Sequence, residues 1–267
     1  MLLTMTTQTR TRRSGGTRPA GAARTLAIDV GGTGLKASVL SGSGAMMADR
    51  VRVPTPYPCS PDILLAAVTA LVKQLPAFDR VSVGFPGVVR DGRVLSAPEF
   101  VNVGGLGTPV DPRLVKEWKN YDLAKAVSRA LGRPTRVAND ADLQGAAVIV
   151  GKGLELVITL GTGVGTGLYQ DGRLAPHLEI AHHPFRKGET YNEQLGEGAR
   201  KRISKKKWNS RVKLAVETLH ALVFFDHVYI GGGNSDRVTA DLGPKASIVD
   251  NTAGILGGIK LWDQTTA

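Results

Sequence analysis

The chain has 267 residues, 42% of them hydrophobic, a single cysteine and a formal net charge of +11. That length and composition suit a large folded core in one or two lobes and exclude a wholly disordered chain. No apolar run nears the roughly 20 residues that span a bilayer. Cys59 alone leaves no disulfide and no cysteine-based zinc site, while the positive charge favours polyanions such as nucleic acid, acidic lipid or a phosphate chain.

Residues 1–24 are rich in Thr, Arg and Gly, contain no acid, and read as a disordered basic tail. Arg12-Arg13 is not followed by the apolar segment that a twin-arginine export signal needs, so a cytoplasmic location is expected. Residues 25–30 read as a buried strand, turned by Gly31-Gly32-Thr33-Gly34 into residues 35–40, which alternate like a strand rather than with helical period. A dinucleotide fold or a P-loop would open a helix at those glycines. Here the loop joins two strands, either as a plain tight hairpin or as one whose backbone amides hold phosphate oxygens. Asp29, at the strand end facing the loop, stands where a carboxylate would position a metal ion.

Residues 45–53 are expected to continue the sheet, and a proline-rich link leads to a helix over 62–75. Residues 81–89 form a strand with a Pro-Gly turn, and Asp91-Gly92 turns a hairpin. A long glycine-rich loop, 97–112, carries Asn102, and 121–131 is an amphipathic helix stopped by Gly132 and Pro134. The strand 135–138 then runs into Asn139-Asp140-Ala141-Asp142 and a helix over 141–150.

The second half repeats the opening of the first: strand 154–160, turn Gly161-Thr162-Gly163, strand 164–169. This predicts a duplicated α/β unit with a central cleft. The first lobe would span 25–138, completed by a C-terminal helix over 252–262, and the second 139–251. Glu179-Ile180-Ala181-His182-His183 follows, then a basic helical stretch over 192–207 and a long helix over 211–225. A strand, 228–230, enters Gly231-Gly232-Gly233, and a short strand over 246–249 precedes the last helix.

Two glycine hairpins with an Asn-Asp pair between them in the chain suggest a cleft in which a phosphoryl group moves. Asp140 is placed to take the proton from the receiving hydroxyl, and is read as an ordinary carboxylate with a pKa near ~4; it could equally cap the helix that follows. The Asn139 amide offers a donor and an acceptor to adjacent sugar hydroxyls. His182 and His183 with one carboxylate make a poor zinc set. Lys201, Arg202, Lys205 and Lys206 share one broad face of a continuing helix, which is either solvated or a guide for a phosphate polymer. Nucleic acid ranks lower, because Trp208 is the only aromatic in that run.

In this order the motifs resemble the sugar-kinase branch of the actin/hexokinase-like superfamily, a duplicated ribonuclease-H-like α/β fold, and within it the ROK group. Asp29 to Lys36 resembles the first phosphate loop and Leu160 to Gly165 the second. Asn139 to Asp142 resembles the catalytic segment, and Ile230 to Gly233 the loop under adenosine. The resemblance runs from about Thr25 to about Trp262. It extends to bacterial polyphosphate-dependent glucokinases in Asn139-Asp140-Ala141-Asp142, Lys205 to Asn209 and Asn251 to Ile255.

The resemblance implies Asp140 as general base. It assigns Gly87, Asn139, Glu179, His182 and Glu193 to the sugar, with Asn102 added from its position alone. Gly31, Gly32, Thr33, Gly34, Lys36, Gly161, Thr162 and Gly163 would hold phosphate, and Gly231, Gly232 and Gly233 the adenosine. Lys201, Lys205 and Lys206 would guide polyphosphate, and Asp29 a divalent cation, Mg²⁺. The implied reaction moves a phosphoryl group from inorganic polyphosphate or ATP to the 6-hydroxyl of glucose, with mannose as a further acceptor. Two departures stand out: Ala181 replaces a glycine of the family's Glu-Ile-Gly-His, and the loop around Asn102 differs. The cysteine-rich zinc motif of many members is missing, so no zinc is expected. Family members are often dimers, although no interface can be read in the sequence. One rival is a sugar-sensing regulator, which needs a helix-turn-helix ahead of Asp29, where 1–24 is too short and polar. The other is a non-catalytic, actin-like ATP-binding protein, against which Asn139-Asp140 and Glu179–His182 argue.

Overall fold

The computed structural model describes residues 23–105, 107–249 and 257–263. Its frame is two five-stranded sheets. In the first the strand order is Val51–Val53, Leu35–Leu40, Thr25–Val30, Arg80–Phe85, Thr135–Asn139. In the second it is Arg173–Leu174, Val164–Gln170, Leu154–Leu160, His227–Gly231, Ala246–Ile248. Each sheet pairs its first three strands antiparallel and its last two parallel. Strand order and sense therefore match at every position, which is the signature of a duplicated unit. The fold is a two-sheet α/β architecture in which each sheet repeats the other's strand order, as expected for a duplicated unit.

Each hairpin is held in register by its buried side. Leu26, Ile28 and Val30 go into one core with Leu35, Ala37 and Val39, and Leu156, Ile158 and Leu160 into the other with Val164. Because side chains alternate, a slip by one residue would turn these positions out to solvent. The first hairpin pairs Val30 with Leu35, and the second pairs Leu160 with Val164.

Between the sheets lies the short helix Asp140–Ala146. Glycines let it approach both sides. A Cβ on Gly84 of the first sheet would stand 3.5 Å from the Asp140 Cα, and one on Gly165 of the second would stand 2.7 Å from the Ala141 Cβ. The helix that carries the Asn-Asp pair is thus clamped from both sides at close range. At its far side the C-terminal helix Gly257–Asp263 returns to the first sheet. There the Trp262 indole N–H donates to Ser82 Oγ (2.8 Å), and the Arg80 and Arg136 guanidinium groups lie over its ring at 5.2 and 4.8 Å.

Several expected boundaries move. The strand predicted over 45–53 is confined to Val51–Val53, and the first helix is Pro61–Val72, capped by Ser60. A helix the sequence reading missed, Pro112–Trp118, is capped by Asp111 and buries Leu114 and Trp118. The basic stretch over 192–207 is not one helix. Tyr191–Leu195 and Glu197–Arg202 are separate, Ile203 is extended (φ −125°, ψ 163°), and Ser204 caps a new helix, Lys205–Val223. The predicted tail loses its last residue: the Arg24 amide donates to Asp79 Oδ2 at 2.8 Å. Residues 1–22, and the Asn251 to Ile255 motif, lie outside the described residues. Among the described residues no helix is long and apolar enough to cross a membrane.

Candidate active site

The carboxyl ends of the parallel strands in both sheets open into one cleft of about 990 Å³, the usual ligand position in open α/β sheets. From the first sheet come Asp29, Gly31, Gly32, Thr33 and Lys36 of the hairpin, Gly87 after its strand, and Asn139 and Asp140. From the second come Gly161, Thr162 and Gly163, then Glu179, His182 and Glu193, with Gly232 and Gly233 at the far end.

The carbonyls of both hairpins are tied from behind. Thr55 Oγ1 donates to the Gly31 carbonyl (2.5 Å) and the Tyr57 hydroxyl to that of Gly32 (3.0 Å). In the second hairpin Gly161 O accepts from Asn234 Nδ2 (3.1 Å) and from the Glu197 amide (3.0 Å), while Asn192 Oδ1 accepts from the Val164 amide (2.7 Å). Such tethers fix the loop backbones before a ligand arrives.

Asp140 differs from its expected state. It is not the surface-like carboxylate read from the sequence. Burial pushes its pKa up to about 7, the nearby Asp29 charge adds to this, and the Ala141 amide opposes it at 2.9 Å, with smaller upward contributions from Glu99 and Asp142. A base poised near neutrality gives a better compromise between availability and proton affinity than one near ~4. Nor is Asp140 the helix cap. That role belongs to Asn139, whose Oδ1 accepts from the Ala141 amide (2.8 Å) and whose Nδ2 donates to the Gly87 carbonyl (2.9 Å). The Asn139 acceptor is therefore engaged within the protein, and one amide hydrogen is left for a ligand.

Other predicted residues fall less simply. Asn102 is outside the cleft lining: it is 6% exposed and donates to the Pro98 carbonyl at 2.6 Å, bracing its own loop. Glu99 of that loop faces the cleft instead. Phe100, packed on Phe85 and Trp118 at ring distances of 5.3 and 5.6 Å, anchors the loop that presents it. Glu99 Oε2 is buried with no hydrogen-bond partner, and burial raises its pKa. A Cβ at Gly32 would lie 1.7 Å from that oxygen, so the glycine makes room for it. Gly34 packs against Arg52 and Gly231 ends a strand; neither lines the cleft. Glu193 lies in it, but its carboxylate accepts from the Thr190 amide and hydroxyl in a capping box.

The expected lysine stripe is divided by the break at Ile203. Lys201 pairs with Glu197 at 3.2 Å beside the second hairpin. Lys205 and Lys206 line a separate hollow of about 710 Å³ with Lys213, Asn209 and Asp241. Trp208 is fully buried, donating to the Leu195 carbonyl, so it offers no stacking face.

The sequence reading also missed His177. Its Nδ1 meets both Asp142 carboxylate oxygens at 3.0 and 3.1 Å, and its Nε2 faces Glu179 Oε2 at 3.6 Å. Glu99 is the only acid between Asp91 and Asp111, and His177 lies two residues before Glu179 in Pro176-His177-Leu178. Isolated polar residues in such apolar settings were the available signal.

A divalent cation can be tested against these side chains. Asp29 and Asp140 offer hard oxygen donors, and Asp29 pairs with Lys36 at 2.9 Å. Among the described residues no three His, Cys, Asp or Glu side chains converge as a metal cage. Mg²⁺ commonly takes one or two carboxylates with water and substrate phosphates, so this donor set fits an ion that shares its shell with a phosphate chain.

Twin sheets, a hairpin from each, and a half-buried carboxylate in the cleft between them define the class: a phosphotransferase-type cleft of the actin/hexokinase-like fold. The chain belongs to the ROK family, whose sequence profile matches residues 25–177. It is 28% identical over 251 residues to the polyphosphate glucokinase of Mycobacterium tuberculosis, covering 86% of this chain and 88% of that one. The crystal structure of the inorganic polyphosphate/ATP-glucomannokinase from Arthrobacter sp. strain KM superposes with a TM-score of 0.73 at 31% identity, covering 91% of this chain and all of that one. The ROK family glucokinase of Streptomyces griseus, solved with glucose and AMPPNP, has the same fold (TM-score 0.64, 20% identity, 89% and 98% coverage). This kinship supports a sugar kinase.

Proposed function

We propose that the protein is a hexokinase that transfers a phosphoryl group from inorganic polyphosphate or ATP to the 6-hydroxyl of glucose, and also of mannose. The observation that carries this is the placing of Asp140 in one cleft with both glycine hairpins, Gly31 to Thr33 and Gly161 to Gly163; partial enclosure there and the nearby Asp29 charge push its pKa up to about 7, which suits a base. In the proposed reaction Asp140 takes the hydroxyl proton as the oxygen attacks the terminal phosphorus, and the donor chain leaves with the electron pair of the broken P–O bond. Asn139, Glu179, His182 and the Gly87 backbone orient the sugar, and the hairpin amides with Lys36 hold the donor. Mg²⁺, held by Asp29 and the donor, would neutralise phosphate charge. Movement of the lobes toward each other would exclude water, so that hydrolysis does not compete.

The charge at Lys205 and Lys206, in a hollow separate from the cleft, supports contact with a long polyanion, and the Gly232-Gly233 end of the cleft supports adenosine. Steady-state production of hexose 6-phosphate by the full chain, with glucose and mannose each crossed with ATP and polyphosphate, tests the reading. Turnover with glucose that needs Mg²⁺ is expected. No hexose 6-phosphate with either donor would overturn the assignment. Neutralising Lys205 and Lys206 should raise KM for polyphosphate several-fold while leaving that for ATP within about two-fold; equal effects on both donors would remove the polymer contact.

A further inference from the structure

His177 lies in the cleft wall, and its side chain is only 3% exposed. One ring nitrogen is fully accounted for. Nδ1 sits between the two oxygens of Asp142, itself 3% exposed and on the helix that begins with Asp140. The other nitrogen is not: Nε2 is buried and has no hydrogen-bond partner. It points to Glu179 Oε2, 3.6 Å away, while Glu179 Oε1 accepts from the Ala181 amide at 2.8 Å. The segment carrying both residues is tied to the second sheet by the Thr166 hydroxyl, which donates to the Leu178 carbonyl.

A buried donor without an acceptor is costly, typically about 1–3 kcal/mol. Two neighbours could take this one: the Glu179 carboxylate, slightly beyond bonding distance, or a ligand hydroxyl. We infer that His177 is a positioning residue for the sugar site, fixed by Asp142 and aiming Nε2–H at Glu179, so that the Glu179 carboxylate is held in its hydroxyl-accepting orientation. The inference rests on the reading of Glu179 as a sugar ligand. It also joins two parts of the site that are far apart in the chain, since Asp142 shares a helix with the proposed base and Glu179 belongs to the sugar wall. Electrostatics agree with the geometry. Burial alone would lower the pKa of His177, but Asp142 and Glu179 outweigh it and hold the ring up at about 9, so it is an imidazolium at neutral pH. Burial would likewise raise Glu179, yet His177 and the Ala181 amide keep it below the ordinary carboxylate range.

The alternative is that His177 merely compensates the buried Asp142 charge. Two substitutions separate the roles, because each keeps one end of the imidazole. His177→Asn retains a donor where Nδ1 meets Asp142 and loses the reach to Glu179. His177→Gln extends a donor toward Glu179 and loses the Asp142 contact. In the full chain, His177→Asn should raise KM for glucose roughly ten- to a hundred-fold, as for loss of the charged contact that orients Glu179. It should leave kcat and donor KM within a few-fold, and His177→Gln should recover much of the glucose KM. In a Glu179→Gln background, His177→Asn should add little further. A glucose KM unchanged in His177→Asn, with Glu179→Gln impaired, overturns the inference and leaves the sugar role of Glu179 standing. If Glu179→Gln itself leaves glucose KM unchanged, the sugar role of Glu179 fails and takes the inference with it. If His177→Asn does not fold, His177→Gln decides: a full loss of glucose affinity with normal thermal stability would refute the Nε2 role.

Discussion

The two hairpins share a backbone plan but differ in their charges. Beside the second lies Glu197, paired with Arg200 at 2.7 Å and Lys201 at 3.2 Å, and the Arg200 contact holds its pKa down at about 2. Beside the first, Asp29 has one half-exposed partner, Lys36, and Glu99 presents a buried oxygen with none. Both of these acids raise the pKa of Asp140, and no group of the second hairpin does. Duplication therefore supplied two loops of the kind proposed to hold phosphate, but only one of them tunes the proposed base. Geometry can be inherited twice from one unit, whereas the charge asymmetry that makes one end reactive has to be added locally.

The largest expected effect tests the base itself. Asp140→Asn should lower kcat by roughly a hundred- to ten-thousand-fold, the range for general-base catalysis, while glucose binding followed by calorimetry stays within a few-fold. Loss of binding together with rate would make Asp140 a structural residue. The same variant should be more stable than the parent at about pH 8, by about 1–3 kcal/mol in denaturant melts. The sign follows from proton uptake: the folded carboxyl, with its pKa raised to about 7, binds protons more tightly than the unfolded one near ~4. Its contribution to stability falls as pH rises through that window, so the difference between parent and variant should vanish toward about pH 4.

A geometric test of the second hairpin comes next. Gly163→Ala would put a Cβ 2.7 Å from Asn192 Oδ1, displacing the side chain that accepts from the Val164 amide. Donor KM should rise about ten-fold, as for loss of one oriented loop contact. Gly161→Ala meets nothing within 4 Å and should leave stability within about 0.5 kcal/mol. Equal destabilisation by both would mean that the Asn192 brace carries no weight.

The smallest effect sharpens the electrostatic comparison. Protonation of Asp140 should make kcat/KM fall below about pH 7, close to ten-fold per unit. Glu99→Gln should move this acidic limb to lower pH, since its charge raises the pKa of Asp140. Glu197→Gln, at the second hairpin, should leave the limb in place. A shift from Glu197→Gln as large as that from Glu99→Gln would erase the distinction between the loops.

Much of this molecule was legible in its residues alone. Alternating apolar positions around Gly31 to Gly34 and Gly161 to Gly163 gave both hairpins, because strand period and glycine turns are local properties. The Asn139-Asp140 pair at a strand end gave the candidate base for the same reason. What only the tertiary structure decided depends on distance through space. The raised pKa of Asp140 comes from being enclosed near Asp29, which is 111 positions away in the chain. Asn102 and Glu99 share a loop, and which of them faces the cleft was set by the packing of Phe100 on Phe85 and Trp118. The lysine face dissolved because Ser204 caps a new helix that Trp208 anchors in the core. His177 acquires its proposed role only when Asp142 and Glu179 arrive on opposite sides of its ring. Pattern along the chain fixes which elements form; burial and neighbouring charge, which no local pattern encodes, fix what their side chains can do.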